Sequence, residues 1–403
     1  MNSEPPGVSS GIRVVEYADF VSGPSAGKHL AELGAEVIKV EPPGFGDSAR
    51  RKGPFAHDDP APDKSLLFNY LNVNKLGVTL DLDSATGREW FLGLLGNADV
   101  FLYGGTAPQM DRLRLSYLDV STANPRLIGV YLTPFGLNGP YRDFQGGDLI
   151  ATHLAGLASG TSPAVTDPDR PPIKPGGRQA LMIAGLYGAM ATLHALFARE
   201  TTEKGQEIDA SELDAMTSFQ AGGMVGQAFL RRSTPRGEAQ AGFLYSAADG
   251  TVAINPMQDH MWRAMVEVMG NPEWASRPEF STRAGRTANS RELRELVSGW
   301  TIQSSKEKLY QSLQGARVPA FPTNTVADVL ESEHLGERGY FEKVPLPSGE
   351  KAVAPGRRYR LSKGMPGGQR VAPRLGEHSV QVLTERLGLA REDLVTAFEL
   401  GVV

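Results

Sequence analysis

Cysteine is absent from the 403-residue chain. A protein without cysteine forms no disulfide, has no thiolate nucleophile and holds no iron–sulfur cluster or cysteine-ligated zinc. Covalent chemistry in this chain therefore depends on its own oxygen and nitrogen groups, or on a thiol that arrives with a substrate.

A strong excess of one charge is also missing. The chain carries 41 basic and 46 acidic residues, a net charge of −5, with both signs interspersed. This balance argues against a general nucleic-acid or anionic-membrane surface. We therefore expect neither nucleic acid nor a membrane among its partners.

Long hydrophobic runs are scarce. The segment from Met1 to Gly11 has no basic region and is not typical of a secretory signal. Residues 180–198 are without charge and approach the span of a bilayer, but glycine, threonine and histidine lower their hydropathy. This pattern favours a buried helix and predicts a soluble, cytoplasmic protein.

Clustered metal ligands are scarce too. The two histidines closest in sequence, His29 and His57, are far apart, and no acidic pattern matches a known metal-binding loop. The sequence therefore predicts no metal site.

Short apolar runs alternate with helical patterns in the first third of the chain. Strands are predicted at residues 12–17, 37–40, 76–82, 99–103 and 127–132, and helices at 27–33, 85–96 and 117–123. Ser84 is placed to cap the second of these helices. The alternation predicts an α/β protein with an open parallel sheet and right-handed crossovers.

The pattern changes after this region. Turn-forming residues cluster at 160–177, and 231–240 is a charged connector. Residues 245–254 are typical of a hairpin with an Asp-Gly turn, and residues 258–313 have a helical pattern. These boundaries predict a large domain at 1–225, a smaller α+β domain at 240–328 and a C-terminal return at 330–403.

Residues 23–27 match the G-x-S-x-G pattern of a hydrolase nucleophile elbow. The match is poor, because residues 19–22 separate it from the strand and Pro24 restricts the preceding residue. A helix N-terminus suited to an anion or phosphate fits better. A dinucleotide site is a further alternative, with Glu41 at the ribose position, although the G-x-G-x-x-G motif is incomplete.

Asp148 follows two glycines and precedes a helical pattern. A carboxylate in this position is most often a helix N-cap, and the alternative is a site residue. The residues alone leave both interpretations open.

Several segments in order resemble family III CoA-transferases of the CaiB/BaiF type, a superfamily that includes carnitine and formyl-CoA transferases and α-methylacyl-CoA racemases. The matching segments extend over nearly the whole chain, from about residue 11 to 390. They are residues 22–27, 31–50, 72–82, 124–128, 135–141, 205–211, 248–250 and 372–378.

The resemblance implies a fold and a ligand. The fold is a large Rossmann-like domain built from both chain ends, with a small domain between them and an interlocked dimer. The ligand is CoA or an acyl-CoA, a substrate rather than a permanently bound cofactor. By match, the CoA site consists of Val21, Ser22, Gly23, Pro24, Glu41, Pro42, Arg50, Leu80, Tyr103, Gly104, Gly105 and Arg112.

The resemblance also implies a nucleophile that this chain lacks. In the transferases an aspartate attacks the donor thioester, which yields an anhydride and then an aspartyl-CoA thioester. The corresponding position here is Leu181, or Ala180 with one residue of slack. The racemases use the same aspartate with a histidine where this chain has Gly147, so both of their bases are absent.

Three interpretations follow from the resemblance. In the first, the chain is the aspartate-lacking subunit of a heteromeric CoA-transferase such as benzylsuccinate CoA-transferase, in complex with an aspartate-bearing paralogue. In the second, Asp148 is an acid/base in an acyl-CoA isomerase, epimerase or lyase. In the third, the chain binds acyl-CoA without catalysis. An orthodox homodimeric transferase would need another nucleophile.

Overall fold

The computed structural model of the protein describes residues 7–160, 171–231, 244–357, 359–364 and 369–403. The chain divides into two compact units. The first contains the described parts of residues 1–158, 174–225 and 339–403, and the second those of 159–173 and 226–338.

The first unit is built on a parallel sheet of six strands in the order β3-β2-β1-β4-β5-β6. The strands are β1 (Arg13–Ala18), β2 (Glu36–Glu41), β3 (Leu76–Thr79), β4 (Val100–Gly104), β5 (Ile128–Thr133) and β6 (Glu207–Ser211). Every residue of β4 and β5 is buried, as expected for central parallel strands with helices on both faces. This confirms the α/β class and the open parallel sheet predicted from the sequence.

Ten α-helices lie in the described residues up to 231. They are α1 (Ser22–Glu32), α2 (Leu66–Asn72), α3 (Ala85–Gly96), α4 (Ala107–Arg112), α5 (Tyr117–Val120), α6 (Asp148–Leu154), α7 (Leu157–Gly160), α8 (Gln179–Thr202), α9 (Glu212–Thr217) and α10 (Ala221–Leu230). Helix α3 has the predicted bounds, and the Ser84 side chain accepts a hydrogen bond from Gly87 N.

Helix α1 differs from the prediction, which started it at Gly27. It begins at Ser22, so Gly23 and Pro24 lie in its first turn. Proline is compatible with that turn, because the amide groups there have no partner within the helix. The elbow serine, Ser25, is also inside this helix and is 1% exposed.

Helix α8 has 24 residues and contacts α1 and β5. By length and composition it is the one helix among the described residues that qualifies as a membrane span, with 44% of its apolar window buried. The buried side packs on the sheet, whereas Leu186, Met190 and Phe197 are exposed. The helix predicted to be buried is therefore buried along one side.

The second unit has an antiparallel three-stranded sheet in the order β7-β8-β9 and a helical layer. Strands β7 (Leu244–Ala247) and β8 (Gly250–Ile254) form the predicted hairpin, and β9 is Ala320–Pro322. The helices are α11 (Asp259–Val268), α12 (Arg283–Ala288), α13 (Ser290–Thr301), α14 (Lys306–Gly315), α15 (Val326–Leu330) and α16 (Glu333–Glu337). Most of the predicted 160–177 loop and 231–240 connector lies outside the described residues.

The C-terminal segment returns to the first unit. It forms a hairpin of β10 (Phe341–Pro345) and β11 (Lys351–Pro355), then α17 (Ser379–Leu387) and α18 (Arg391–Glu399). The backbone N–H of Thr79, in β3, donates to Ser379 Oγ at 3.0 Å, and the N–H of His378 donates to Gly77 O at 2.8 Å. These bonds fix the C-terminal helices at the edge of the sheet.

Candidate active site

A pocket of about 150 Å³ lies where β1, β2 and β4 end. The connection after β1 leads to β2, and the connection after β4 leads to β5 on the opposite side of the sheet, so β1 and β4 form a switch point, where open α/β sheets bind ligands. We call it the switch-point pocket. Its lining residues are Tyr17, Ala18, Asp19, Val40, Glu41, Pro42, Phe45, Gly46, Asp47, Gly104 and Gln109.

Two glycines allow α1 to pack closely against the end of β4. A Cβ on Gly23 would lie 2.4 Å from Ala18 Cβ and 3.1 Å from Gly104 Cα. A Cβ on Gly104 would lie 2.9 Å from Ala18 Cβ and 3.0 Å from Gly23 Cα. The close approach therefore requires a residue without a side chain at both positions.

A buried ion cluster holds the segment between β1 and α1. Lys39 Nζ lies 3.0 Å from Glu16 Oε1 and 2.8 Å from Asp47 Oδ2, and it donates to Ala18 O at 2.8 Å. Burial lowers the pKa of Lys39, but the Asp47 and Glu16 carboxylates outweigh it and hold that pKa above its ordinary value. Asp47 Oδ1 also accepts from the backbone N–H of Phe20, which has a φ of 66°. The ions thus stabilise a strained turn beside the pocket.

Lys75 joins the cluster from the other side of α1. Its Nζ donates to Glu16 Oε2 at 2.7 Å, to Pro24 O at 2.9 Å and to Asn72 Oδ1 at 2.9 Å. Burial lowers the pKa of Lys75 to about 8, although the Glu16 carboxylate opposes that shift. The first turn of α1 is therefore anchored by a lysine more than fifty residues away in the sequence.

Arg50 is held by the protein itself. Its Nε and Nη2 donate to the two carboxylate oxygens of Glu41, both at 2.8 Å, and Nη2 also donates to Pro373 O at 3.0 Å. Its guanidinium lies 3.7 Å from the centre of the Phe68 ring, and the residue is 1% exposed. This bidentate pair fixes the turn after β2.

The structure brings only part of the predicted CoA-binding set to the pocket. Glu41, Pro42 and Gly104 line it. Val21, Ser22, Gly23, Pro24, Arg50, Leu80 and Tyr103 are buried in the surrounding core, and Gly105 is half-buried. Arg112 is exposed and forms an ion pair with Asp83. The binding role of these residues stays a prediction.

Asp148 lies at the N-terminus of α8, although it is the first residue of α6. Its Oδ1 accepts from Ala180 N at 2.9 Å, and its Oδ2 lies 2.6 Å from Lys174 Nζ. Asp148 is therefore a cap for a helix 32 positions away rather than for its own. Each of its carboxylate oxygens has a partner.

Leu181 is in the first turn of α8, which contains no acidic residue. Its side chain is 3% exposed and packs in an apolar cluster with Val21 and Leu71. Ala180 is fully buried in a neighbouring cluster with Ala151 and Met216. At both positions the environment suits an apolar residue.

Glu212, the first residue of α9, was missed by the sequence reasoning. Ser22 Oγ donates to its Oε1 at 3.0 Å, and within the described part of the chain its Oε2 is buried without a hydrogen-bond partner. Burial raises the pKa of Glu212 to about 7; the Ser22 hydrogen bond opposes this shift and the Asp148 charge adds to it. The available signal was its position just after β6, at the ligand-binding edge of the sheet.

In the described ranges, no three His, Asp or Glu side chains are grouped so that they could hold a metal ion. The polar groups around the pocket are occupied by one another in ion pairs and hydrogen bonds.

The sequence profile of CoA-transferase family III matches residues 10–379. The chain belongs to this family. The resemblance stated from the motifs is thereby confirmed. Members of the family use CoA thioesters as substrates, without a permanently bound cofactor.

Relatives of similar length support the assignment. Succinyl-CoA–D-citramalate CoA-transferase of Chloroflexus aurantiacus is 30% identical over 98% of this chain and 97% of its own. The succinyl-CoA–L-malate CoA-transferase beta subunit of the same organism is 31% identical over 96% of this chain and 95% of its own.

A solved structure agrees. A CaiB/BaiF family protein from Brucella suis superposes with a TM-score of 0.82 and 30% identity, over 94% of this chain and 100% of that one. The homologues thus support CoA-transferase activity for this chain.

Proposed function

We propose that this chain is the aspartate-lacking subunit of a heteromeric CoA-transferase that moves CoA between dicarboxylic acids. The names of its relatives support the substrate class, since succinate, citramalate and malate all have two carboxyl groups. One of these relatives is itself a subunit of a larger enzyme. The partner would be a second family III chain that carries the aspartate.

The observation that carries the proposal is the first turn of α8, which has no acidic residue. Leu181 is buried against Val21 and Leu71, and no acidic residue lies in that turn. The nearby carboxylate of Asp148 is engaged by the Ala180 amide and by Lys174. No carboxylate in this turn is thus free to attack a thioester.

The reaction needs such a carboxylate. It attacks the thioester carbonyl of the donor, so that CoA thiolate leaves and a mixed anhydride forms. The thiolate then attacks the enzyme acyl group of the anhydride and releases the donor acid. The acceptor acid repeats these steps in reverse and leaves as the new CoA thioester. In the proposed complex the partner supplies the carboxylate, and this chain supplies a CoA-binding sheet edge and the subunit surface.

The isomerase alternative depends on Asp148, whose two engaged oxygens favour a structural role. An acid/base group needs at least one oxygen that reaches the substrate proton. We therefore assign Asp148 a structural role, as the cap of α8 and the ion-pair partner of Lys174. The non-catalytic alternative predicts acyl-CoA binding without transfer, both by the chain alone and with a partner chain, so a transfer assay distinguishes it from the proposal.

A gain-of-function substitution tests the proposal. Leu181→Asp places a carboxylate in the first turn of α8, and Met182→Asp, one position further on, is the matched control. We expect the unaltered chain alone to show no transfer from succinyl-CoA to citramalate or malate. Leu181→Asp should gain measurable transfer and Met182→Asp should not. Transfer by the unaltered chain alone, at the rate of a complete family enzyme, contradicts the proposal.

A further inference from the structure

Phe45 is an exposed aromatic residue at the rim of the switch-point pocket. It is 61% exposed, and it is one of the residues that line the pocket. Gly44 and Gly46 on either side have φ values of 67° and 64°, in the left-handed region that favours glycine. The N–H of Phe45 donates to Pro43 O at 2.7 Å. A tight turn therefore presents this ring, so its exposure is built into the backbone.

Arg51 holds the ring. Its guanidinium carbon lies 3.6 Å from the centre of the Phe45 ring, and its Nη1 donates to Phe45 O at 2.5 Å. A guanidinium at this distance stacks on the ring face and is attracted by its π electrons. Arg51 is itself exposed, so its charge remains available at the rim.

The floor of the pocket does not suit an anion. Asp19, Glu41 and Asp47 all line it, and a carboxylate offers a phosphate no hydrogen-bond donor. Their charges are used internally: Asp19 accepts from Ser48 Oγ at 2.7 Å, and the other two bind Arg50 and Lys39. An uncharged, flat ring is compatible with this floor and a phosphate is not.

Positive charge lies at the rim instead. Arg51 stands on one side, on Phe45. Arg112, which the resemblance assigns to the CoA site, is exposed and paired with Asp83. Phosphates at the rim would meet the Arg51 guanidinium, while a base attached to them reached inward.

We propose that Phe45, held by Arg51, is the stacking platform for the adenine end of CoA. The assignment rests on the proposed function in that it takes a CoA thioester as substrate. The adenine ring lies on Phe45 inside the pocket, and Arg51 contributes a cation to the phosphates outside it. Base–aromatic stacking needs no particular hydrogen-bond pattern, which suits a pocket whose polar groups are already engaged.

The experiment compares the two ends of CoA as separate probes. Calorimetric titration of the purified full chain measures the Kd of CoA, of adenosine 3′,5′-bisphosphate and of 4′-phosphopantetheine. The variants are Phe45→Ala, Phe45→Leu, Phe45→Trp and Arg51→Ala. The matched control is Phe321→Ala, since Phe321 is 57% exposed and also stacks, on Tyr310, but lies in the second unit.

We expect Phe45→Ala and Phe45→Leu to raise the Kd of CoA and of the bisphosphate by roughly tenfold. The Kd of phosphopantetheine should stay unchanged, Phe45→Trp should bind as the unaltered chain does, and Phe321→Ala should have no effect. Arg51→Ala should weaken the bisphosphate and flatten the salt dependence of its binding.

Two results overturn the assignment. If CoA binds and Phe45→Ala leaves its Kd unchanged, or weakens phosphopantetheine as strongly as the bisphosphate, the platform is wrong while the proposed function stands. If the unaltered chain binds neither CoA nor the bisphosphate, whether alone or together with an aspartate-bearing partner chain, both the platform and the proposed function are wrong.

Discussion

The switch-point pocket and the N-terminus of α8 treat buried charge in opposite ways. Around the pocket, buried ions are paired with opposite charges: Lys39 with Glu16 and Asp47, and Arg50 with Glu41. The first turn of α8 has no acidic residue, and the buried Glu212 of the neighbouring α9 has an oxygen without a hydrogen-bond or ion-pair partner in the described chain.

This difference in buried charge corresponds to the different needs of binding a ligand and reacting with it. Paired ions rigidify the loops that shape a ligand site, and they need not react with the ligand. A nucleophilic carboxylate must be ionised and reachable, and in the first turn of α8 no residue meets both conditions. Under the proposed function, this chain contributes binding surface, and the partner subunit contributes the carboxylate of the covalent step.

Breaking the ion cluster should have the largest effect. Lys39→Met leaves Glu16 and Asp47 buried without their shared cation, so we expect the free energy of unfolding to fall by about 3–5 kcal/mol. Urea unfolding measures this loss. The control is Arg291→Met, which removes an exposed pair with Glu295 and should leave stability unchanged. A loss below about 1 kcal/mol for Lys39→Met would contradict the role of the cluster.

Glu212→Gln tests the opposite case, a carboxyl whose ionisation is unfavourable. The folded-state pKa is about 7 and the ordinary value 4.5. Between these values the unfolded chain has lost the proton and the folded chain retains it, so the contribution of Glu212 to stability is highest below pH 4.5 and is lost as pH rises through 7. The loss amounts to at most about 3 kcal/mol.

The measurement is unfolding at pH 5 and at pH 8. Relative to the unaltered chain, Glu212→Gln should gain stability at pH 8 that it does not gain at pH 5. Asp214→Asn, on the same helix and without the burial of Glu212, controls for the change of charge. An equal effect of Glu212→Gln at both pH values would show that Glu212 is not protonated in the fold.

Gly23→Ala addresses the steric fit between α1 and β4. The added Cβ would meet Ala18 and Gly104, so we expect a loss of about 1–3 kcal/mol and weaker CoA binding. In α13, Gly299 has open space around its Cβ position, and Gly299→Ala should be neutral or stabilise by up to about 1 kcal/mol. Equal stability of the two variants would refute the close approach.

Asp148→Asn should have the smallest effect. The amide oxygen can still accept from Ala180 N–H, and only the charge opposite Lys174 is lost, so a decrease of about 1 kcal/mol is expected. Lys174→Met should give a similar decrease. Transfer by the assembled enzyme should remain near its original rate. A loss of activity by orders of magnitude with unchanged stability would instead make Asp148 an acid/base.

Most of the fold could be predicted from residues that lie close together in the sequence. Ser84 capped α3 as predicted, and the predicted hairpin forms, although its turn residues are Ala248 and Asp249 and Gly250 already pairs with Ala247. Both depend on residues within a few positions of one another. Helix α1 was placed too late because Gly23 and Pro24 look like a loop, whereas the glycine serves a close contact with Gly104.

The site was less accessible to sequence reasoning, because its interactions are distant in the chain. Arg50 has the charge of a phosphate ligand, but it binds Glu41 and the carbonyl of Pro373. Asp148 has the sequence context of an N-cap, and it caps α8 rather than α6. Glu212 accepts a hydrogen bond from Ser22, 190 positions earlier, and a contact at this separation leaves no local sequence signal.

The most direct test of the account is the rate of CoA transfer from succinyl-CoA to a second dicarboxylic acid. It is measured for the chain alone, for an aspartate-bearing family III chain from the same organism, and for the two expressed together. We expect co-purification of the two chains, no transfer by this chain alone and transfer by the complex. Full transfer by this chain alone, with a CoA ester trapped on one of its own carboxylates, would contradict it.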